Sequence, residues 1–240
     1  MATISKFYFH DAATPNTGTM PTGAFATIGP DTTGDATGAR TARDATDVLG
    51  AAQTSASFTA QANTSVQRWG FRRFVSRPLA AQTILFGSAA NWTCAGARSE
   101  SNTNHNQGIT VTAYCWRPST GAIVGTTTNN RVAFTPSAPA STAELTFSVG
   151  GSVGGTDLAI SDGDILVFEV SDQFTQSMAT AYTSSFFYDG TTEGSTTNNA
   201  AFITPPLALT LFTASASASL VAGTPQRSLS HRHNTMDRWN

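Results

Sequence analysis

Apolar and polar residues alternate along most of this chain with the two-residue period of β-strands, and nowhere with a sustained helical period. At the start, Ile4, Lys6, Tyr8 and His10 alternate with Ser5, Phe7 and Phe9, which predicts a first strand over residues 1–10. The character then changes. From Asp11 to Ser65, glycines punctuate a Thr-, Ala- and Asp-rich stretch whose large apolar residues are sparse, chiefly Met20, Phe25, Ile28, Val48, Leu49 and Phe58. So little apolar surface does not offset the entropy of ordering the segment, and a loop of this length is unusual inside a compact domain. The stretch reads as an extended arm, with Phe25, Ile28 and the Val48-Leu49 pair as anchors on another surface. Thr41–Ala52 offers its single, weakly patterned helical stretch.

From Val66 onward the strands return, separated by Gly, Pro and Asn turns. Val66–Ser76, Thr83–Phe86, Asn91–Ala97, Ile109–Trp116, Arg131–Thr135, Ala143–Val149, Ala181–Tyr188 and Ala201–Phe212 are all predicted strands. Ser99–Gly108 is expected to be a polar loop, and Gly108–Thr127 a hairpin turning at Pro118–Gly121. The clearest signal is Leu158–Val170, where Asp162-Gly163 demands a tight turn and the run after it is almost wholly apolar. Strands at spacings of roughly 10 to 20 residues with no helix between them predict an all-β, antiparallel two-sheet sandwich, jelly-roll-like in connection. The expected organisation is a first strand and arm over 1–65, a sandwich over 66–213 and an extended C-terminal tail over 214–240.

Composition sharpens this reading by exclusion. Charged residues are 12% of the 240, about half the usual share, and the net charge is −2. That balance points away from nucleic acid, and no apolar run is long enough for a membrane helix. The opening residues lack the pattern of a secretory leader, so synthesis in a cytoplasm is expected. Cys94 and Cys115 read as small buried hydrophobes, with one disulfide between neighbouring strands as the alternative.

Candidate chemistry is thin. His10, His105, His231 and His233 are scattered, and His231-Arg232-His233 supplies two imidazoles where zinc wants three or four ligands. There is no nucleophile elbow, phosphate loop or dinucleotide fingerprint. Glycoside chemistry needs two carboxylates across a cleft, and nothing in the sequence favours distant pairs such as Glu144 and Glu169 for it. Asp162-Gly163-Asp164 reads as a turn before a calcium site. Arg68, Arg72, Arg73 and Arg77 form the one dense basic cluster, read as interface or intramolecular ion pairs, with Arg72 and Arg73 the interface candidates. Arg238 and Trp239 at the tail's end read as a clasp on a neighbouring subunit, because Trp and Arg dominate interface hot spots. No enzyme, cofactor or metal is expected from these residues.

Three segments carry a resemblance: Thr3–Phe9, Phe74–Ile84 and Ile160–Val170. Together with the Thr/Ala/Gly arm, over residues 1–212, the chain resembles β-sandwich virion structural proteins of tailed bacteriophages. The resemblance implies a non-enzymatic virion subunit, first a capsid decoration or cement protein and otherwise a tail or appendage subunit. It implies location in the virion, homo-oligomerisation, and the major capsid protein or tail proteins as partners. A carbohydrate ligand for host adhesion is the alternative, with Trp92, Tyr114 and Trp116 as its platform.

Overall fold

The computed structural model describes residues 2–13, 42–48, 53–59, 67–87, 90–102, 107–125, 131–134, 145–151, 155–174, 180–190 and 200–213. Among these, every regular element is a strand, so the all-β expectation holds. In chain order they are β1 (Thr3–Ile4), β2 (Phe7–Ala13), β3 (Ala42–Thr46), β4 (Thr54–Thr59), β5 (Gln67–Ser76), β6 (Gln82–Ile84), β7 (Trp92–Glu100) and β8 (Gln107–Arg117). Then follow β9 (Ala122–Ile123), β10 (Arg131–Phe134), β11 (Leu145–Gly151), β12 (Leu158–Ile160), β13 (Ile165–Phe174), β14 (Thr183–Tyr188), β15 (Phe202–Thr204) and β16 (Leu209–Thr210).

Twelve strands form one hydrogen-bonded ladder in the order β10-β8-β13-β5-β3-β2-β15-β7-β14-β4, with β11 also on β7 and β9 on β8. The ladder folds back on itself in a sandwich-like arrangement. Side chains of β5, β8 and β13 meet those of β7 and β14 in one core, and β2 with β15 carries the ladder from one layer to the other. Named strand pairs are antiparallel except β3 with β5, which run parallel.

Aromatic stacking ties the layers together. Phe9 stacks on Phe74 at 4.4 Å, and Phe74 meets Tyr188 of the opposite layer edge-on at 5.0 Å. Phe7, Phe9, Phe74, Phe168 and Phe186 are fully buried, each such side chain contributing about 1.5–3 kcal/mol by leaving water. The turn before β13 behaves as its Asp-Gly pair requires: Gly163 has φ 90°, a left-handed position where other residues are strained.

Three local expectations are corrected. Thr41–Ala52 is not helical where it is described; Ala42–Thr46 is a strand because its backbone completes the gap between β2 and β5. Together with β4, it places part of the 11–65 arm inside the ladder. The polar loop is also shorter than Ser99–Gly108, since Ser99 and Glu100 pair with β14 and Gln107 and Gly108 with β13.

Candidate functional site

Two backbone irregularities meet at the edge where β2 passes between the layers. On β2, the register against β3 shifts between His10 and Ala13, a bulge that breaks the strict alternation of the strand and re-aims its residues. Facing it, Asp189 follows β14 with φ 62°, the one non-glycine in the left-handed region among the described residues. Such strain persists where surrounding bonds over-determine it, and it concentrates at functional sites. Here the Asp189 amide donates to the Phe9 carbonyl at 3.0 Å, and its Oδ2 accepts from the Asp11 amide at 3.0 Å.

Around this junction lies a polar cluster. His10 Nε2 sits 3.7 Å from Asp189 Oδ1, with the imidazole side chain 30% exposed and the carboxylate 11%. Asp11 Oδ1 accepts from Arg43 Nε at 2.8 Å and from the Tyr188 hydroxyl at 2.8 Å. Arg72 Nε donates to that same hydroxyl at 3.2 Å. Tyr188 thus has its ring in the core and its hydroxyl at the rim; burial, ahead of its charged neighbours, raises its pKa above the usual phenol value. The partly exposed His10 imidazole beside the mostly buried Asp189 carboxylate is, by residue type, a candidate acid–base pair.

The other candidates are accounted for by the fold or lie outside the described residues. Arg72 points into the rim cluster. Arg73 is buried and pairs with Glu169 inside the molecule, Nη2 lying 2.8 Å from Oε1, so of the two readings of the basic cluster it takes intramolecular pairing. Arg77 pairs likewise with Asp47 at 2.7 Å. Trp92, Tyr114 and Trp116 are all buried, which removes them as a carbohydrate platform. Trp92 Nε1 donates to the Leu85 carbonyl, and its ring stacks on Phe86. Cys94 and Cys115 are free and buried, and burial pushes both thiols far up. Asp164 accepts from Nε and Nη2 of Arg117, so the Asp162-Gly163-Asp164 turn holds a guanidinium. Among the described residues no His, Cys, Asp and Glu side chains group to hold a metal ion. Phe25, Ile28, Glu144, His105, His231, His233, Arg238 and Trp239 lie outside the described residues.

Reading the sequence missed the rim cluster. In the sequence His10 is one of four scattered histidines, at the end of a strand, and nothing there singles out Asp11 or Asp189. The legible hint was Asp189-Gly190 ending an apolar strand, a pair suited to left-handed backbone.

No family model matches the chain, and no curated protein sequence does. Solved structures match at the level of strand arrangement. A CocE/NonD family hydrolase from Staphylococcus aureus, SACOL2612, shares 7% identity over 85% of this chain at a TM-score of 0.43. An α-amino acid ester hydrolase shares 11% over 85% at 0.40. A chain of infectious bursal disease virus, Gt strain, shares 9% over 69% at 0.29. This chain corresponds to 36% of each hydrolase and 37% of the viral chain, so it spans about a third of their length. The expectation of a non-enzymatic virion subunit is corrected by these matches: the structures sharing 85% of the chain are hydrolases, and the viral likeness is the weaker one. At such TM-scores no residue role is carried over.

Proposed function

We propose that the chain serves the hydrolysis of an ester, with His10 as the base and the rim cluster as the place where substrate is met. The observation that supports this reading is the His10–Asp189 pair, in which a strained, backbone-locked carboxylate faces a partly exposed imidazole. Asp189 would stabilise the ring's cation across 3.7 Å. His10 would take a proton from water as the water oxygen bonds to the ester carbonyl. It would return the proton to the alkoxide as that group leaves, so the products are a carboxylic acid and an alcohol. Asp11, held by Arg43 and Tyr188, would accept a hydrogen bond from the substrate. The names of the structural neighbours serve only to choose substrates for the test.

The purified chain is assayed against p-nitrophenyl esters and amino acid esters. Turnover above buffer is expected, with His10→Ala lowering kcat by about 100-fold or more, the scale of lost acid–base catalysis. Asp189→Asn is expected to give an intermediate loss. Absence of turnover on every ester, or turnover indifferent to His10→Ala, would sink the reading.

A further inference from the structure

The strand that delivers His10 to the rim also carries a second feature on the same face. Phe7 and Phe9 are fully buried, so alternation sends Lys6, Tyr8 and His10 outward in one row. Phe202 of β15 is the direct cross-strand partner of Tyr8. Their rings meet edge-on at 6.2 Å, and both stay partly exposed. The Lys6 ammonium lies 4.3 Å from the Phe202 ring centroid and 5.8 Å from that of Tyr8. Lys6 and Tyr8 therefore precede His10 along the chain, with the Phe202 ring of β15 beside them, over a span of about 13 Å from Lys6 to His10.

We infer that this row binds a neutral saccharide, which would lead a sugar-borne ester toward His10. The chemistry of the row selects that class. A pyranose has one face of C–H groups that packs on a partly exposed aromatic ring, and an equator of hydroxyls that need donors and acceptors. Tyr8 and Phe202 offer the apolar surface. Lys6 is the donor beside it, and the Asp11 and Asp189 carboxylates are acceptors at the far end. Charges of both signs meet across the row and rim, with Lys6, Arg43 and Arg72 set against Asp11 and Asp189, so no large field of one sign favours a polyanion or a polycation. An exposed cation–π contact is weak enough for Lys6 to swing off the ring and donate to a hydroxyl as the sugar docks. The inference rests on the hydrolytic reading only in giving the bound saccharide an ester to lose; binding itself does not require turnover.

The test uses the full chain and neutral cello-, malto-, xylo- and chito-oligosaccharides, with saturation-transfer NMR to find a binder and calorimetry to measure it. At least one series is expected to bind, with Tyr8→Ala and Phe202→Ala each weakening it by about tenfold or more, as removing a stacking ring does for flat ligands. Tyr8→Leu keeps an apolar side chain, and with an unchanged Tm it is expected to show the same loss. Absence of binding by every series, or unchanged affinity in both ring variants, overturns the inference. Saccharide binding without ester turnover leaves it standing and removes the hydrolytic reading. Ester turnover that depends on His10 without saccharide binding does the reverse.

Discussion

Two clusters of charged residues sit on adjoining strands of this sandwich and have opposite characters. On the outward side of β5, β8 and β13, the Arg73 guanidinium and the Tyr114 hydroxyl converge on one oxygen of Glu169, at 2.8–3.0 Å, with all three residues nearly sealed from water. At the rim, His10, Asp11, Arg43 and Asp189 keep part of their surface in water, and two of the backbones that carry them are irregular. In the buried set Arg73 lies directly opposite Glu169 and Glu169 opposite Thr112, in register that holds from Val167 to Val170 before β5 and β13 slip by a bulge. Regular geometry and full burial make a group that fixes how strands meet. Irregular geometry and partial exposure make a group available to something outside the molecule.

The sharpest way to break this comparison is to remove one charge from the buried set. Glu169→Gln leaves Arg73 charged in a dry site, and a loss of about 3–5 kcal/mol is expected in chemical denaturation. The double variant Arg73→Met/Glu169→Leu should recover most of it, since an apolar pair of similar size avoids the desolvation cost. A cost below that of an ordinary surface change would show that the pair is not dry.

Alkaline titration separates the clusters next. Tyr114 is raised well above the usual phenol range, by burial first and then by the Glu169 charge, while burial raises Cys94 and Cys115. The native state therefore holds these groups neutral when the unfolded chain would ionise them. Stability is whole below about pH 8, where unfolded thiols begin to ionise, and phenols join from about pH 10. Above those points it falls by about 1.4 kcal/mol per pH unit for each group, up to the raised native values. Denaturation midpoints from pH 7 to 11 would measure the slope. Tyr114→Phe should flatten it more than Tyr188→Phe, whose hydroxyl lies at the rim; equal effects would contradict the contrast.

Two of the left-handed positions, Gly163 and Asp189, give smaller effects. A side chain at Gly163 meets no atom within 4 Å, so Gly163→Val tests backbone strain alone, with an expected cost of about 1–2 kcal/mol. An unchanged Tm would show that the turn relaxes. Asp189→Asn should change stability by less than about 0.5 kcal/mol, because asparagine tolerates left-handed backbone and keeps an acceptor for the Asp11 amide. A large drop in Tm there would make the rim a structural staple like the buried set.

How far each region could be read from sequence follows the same division. The Leu158–Val170 stretch was legible because its signals are local: a turn that needs glycine, then side chains whose apolar run marks a buried strand. Phe7 and Phe9 were legible as one face of a strand for the same reason. β3 was not, because Ala42–Thr46 has little apolar character of its own and becomes a strand through backbone bonds to β2 and β5. The rim cluster was hidden for a related cause. His10 and Asp189 are 179 positions apart, and the one local signal, the Asp189-Gly190 pair, marks a turn without indicating its partner.

Sequence alone determined the class of this protein's fold, because alternation, turn residues and the absence of helical period are properties of neighbouring positions. It also placed Arg72 and Arg73 side by side without distinguishing them. Only the tertiary structure decided that Arg73 is buried against Glu169 while Arg72 reaches the Tyr188 hydroxyl at the rim. Neighbours in a strand point to opposite faces, and what each face meets is set by strands distant in the chain. The same holds for Trp92, Tyr114 and Trp116, whose burial depends on which faces of β7 and β8 the folded ladder closes over.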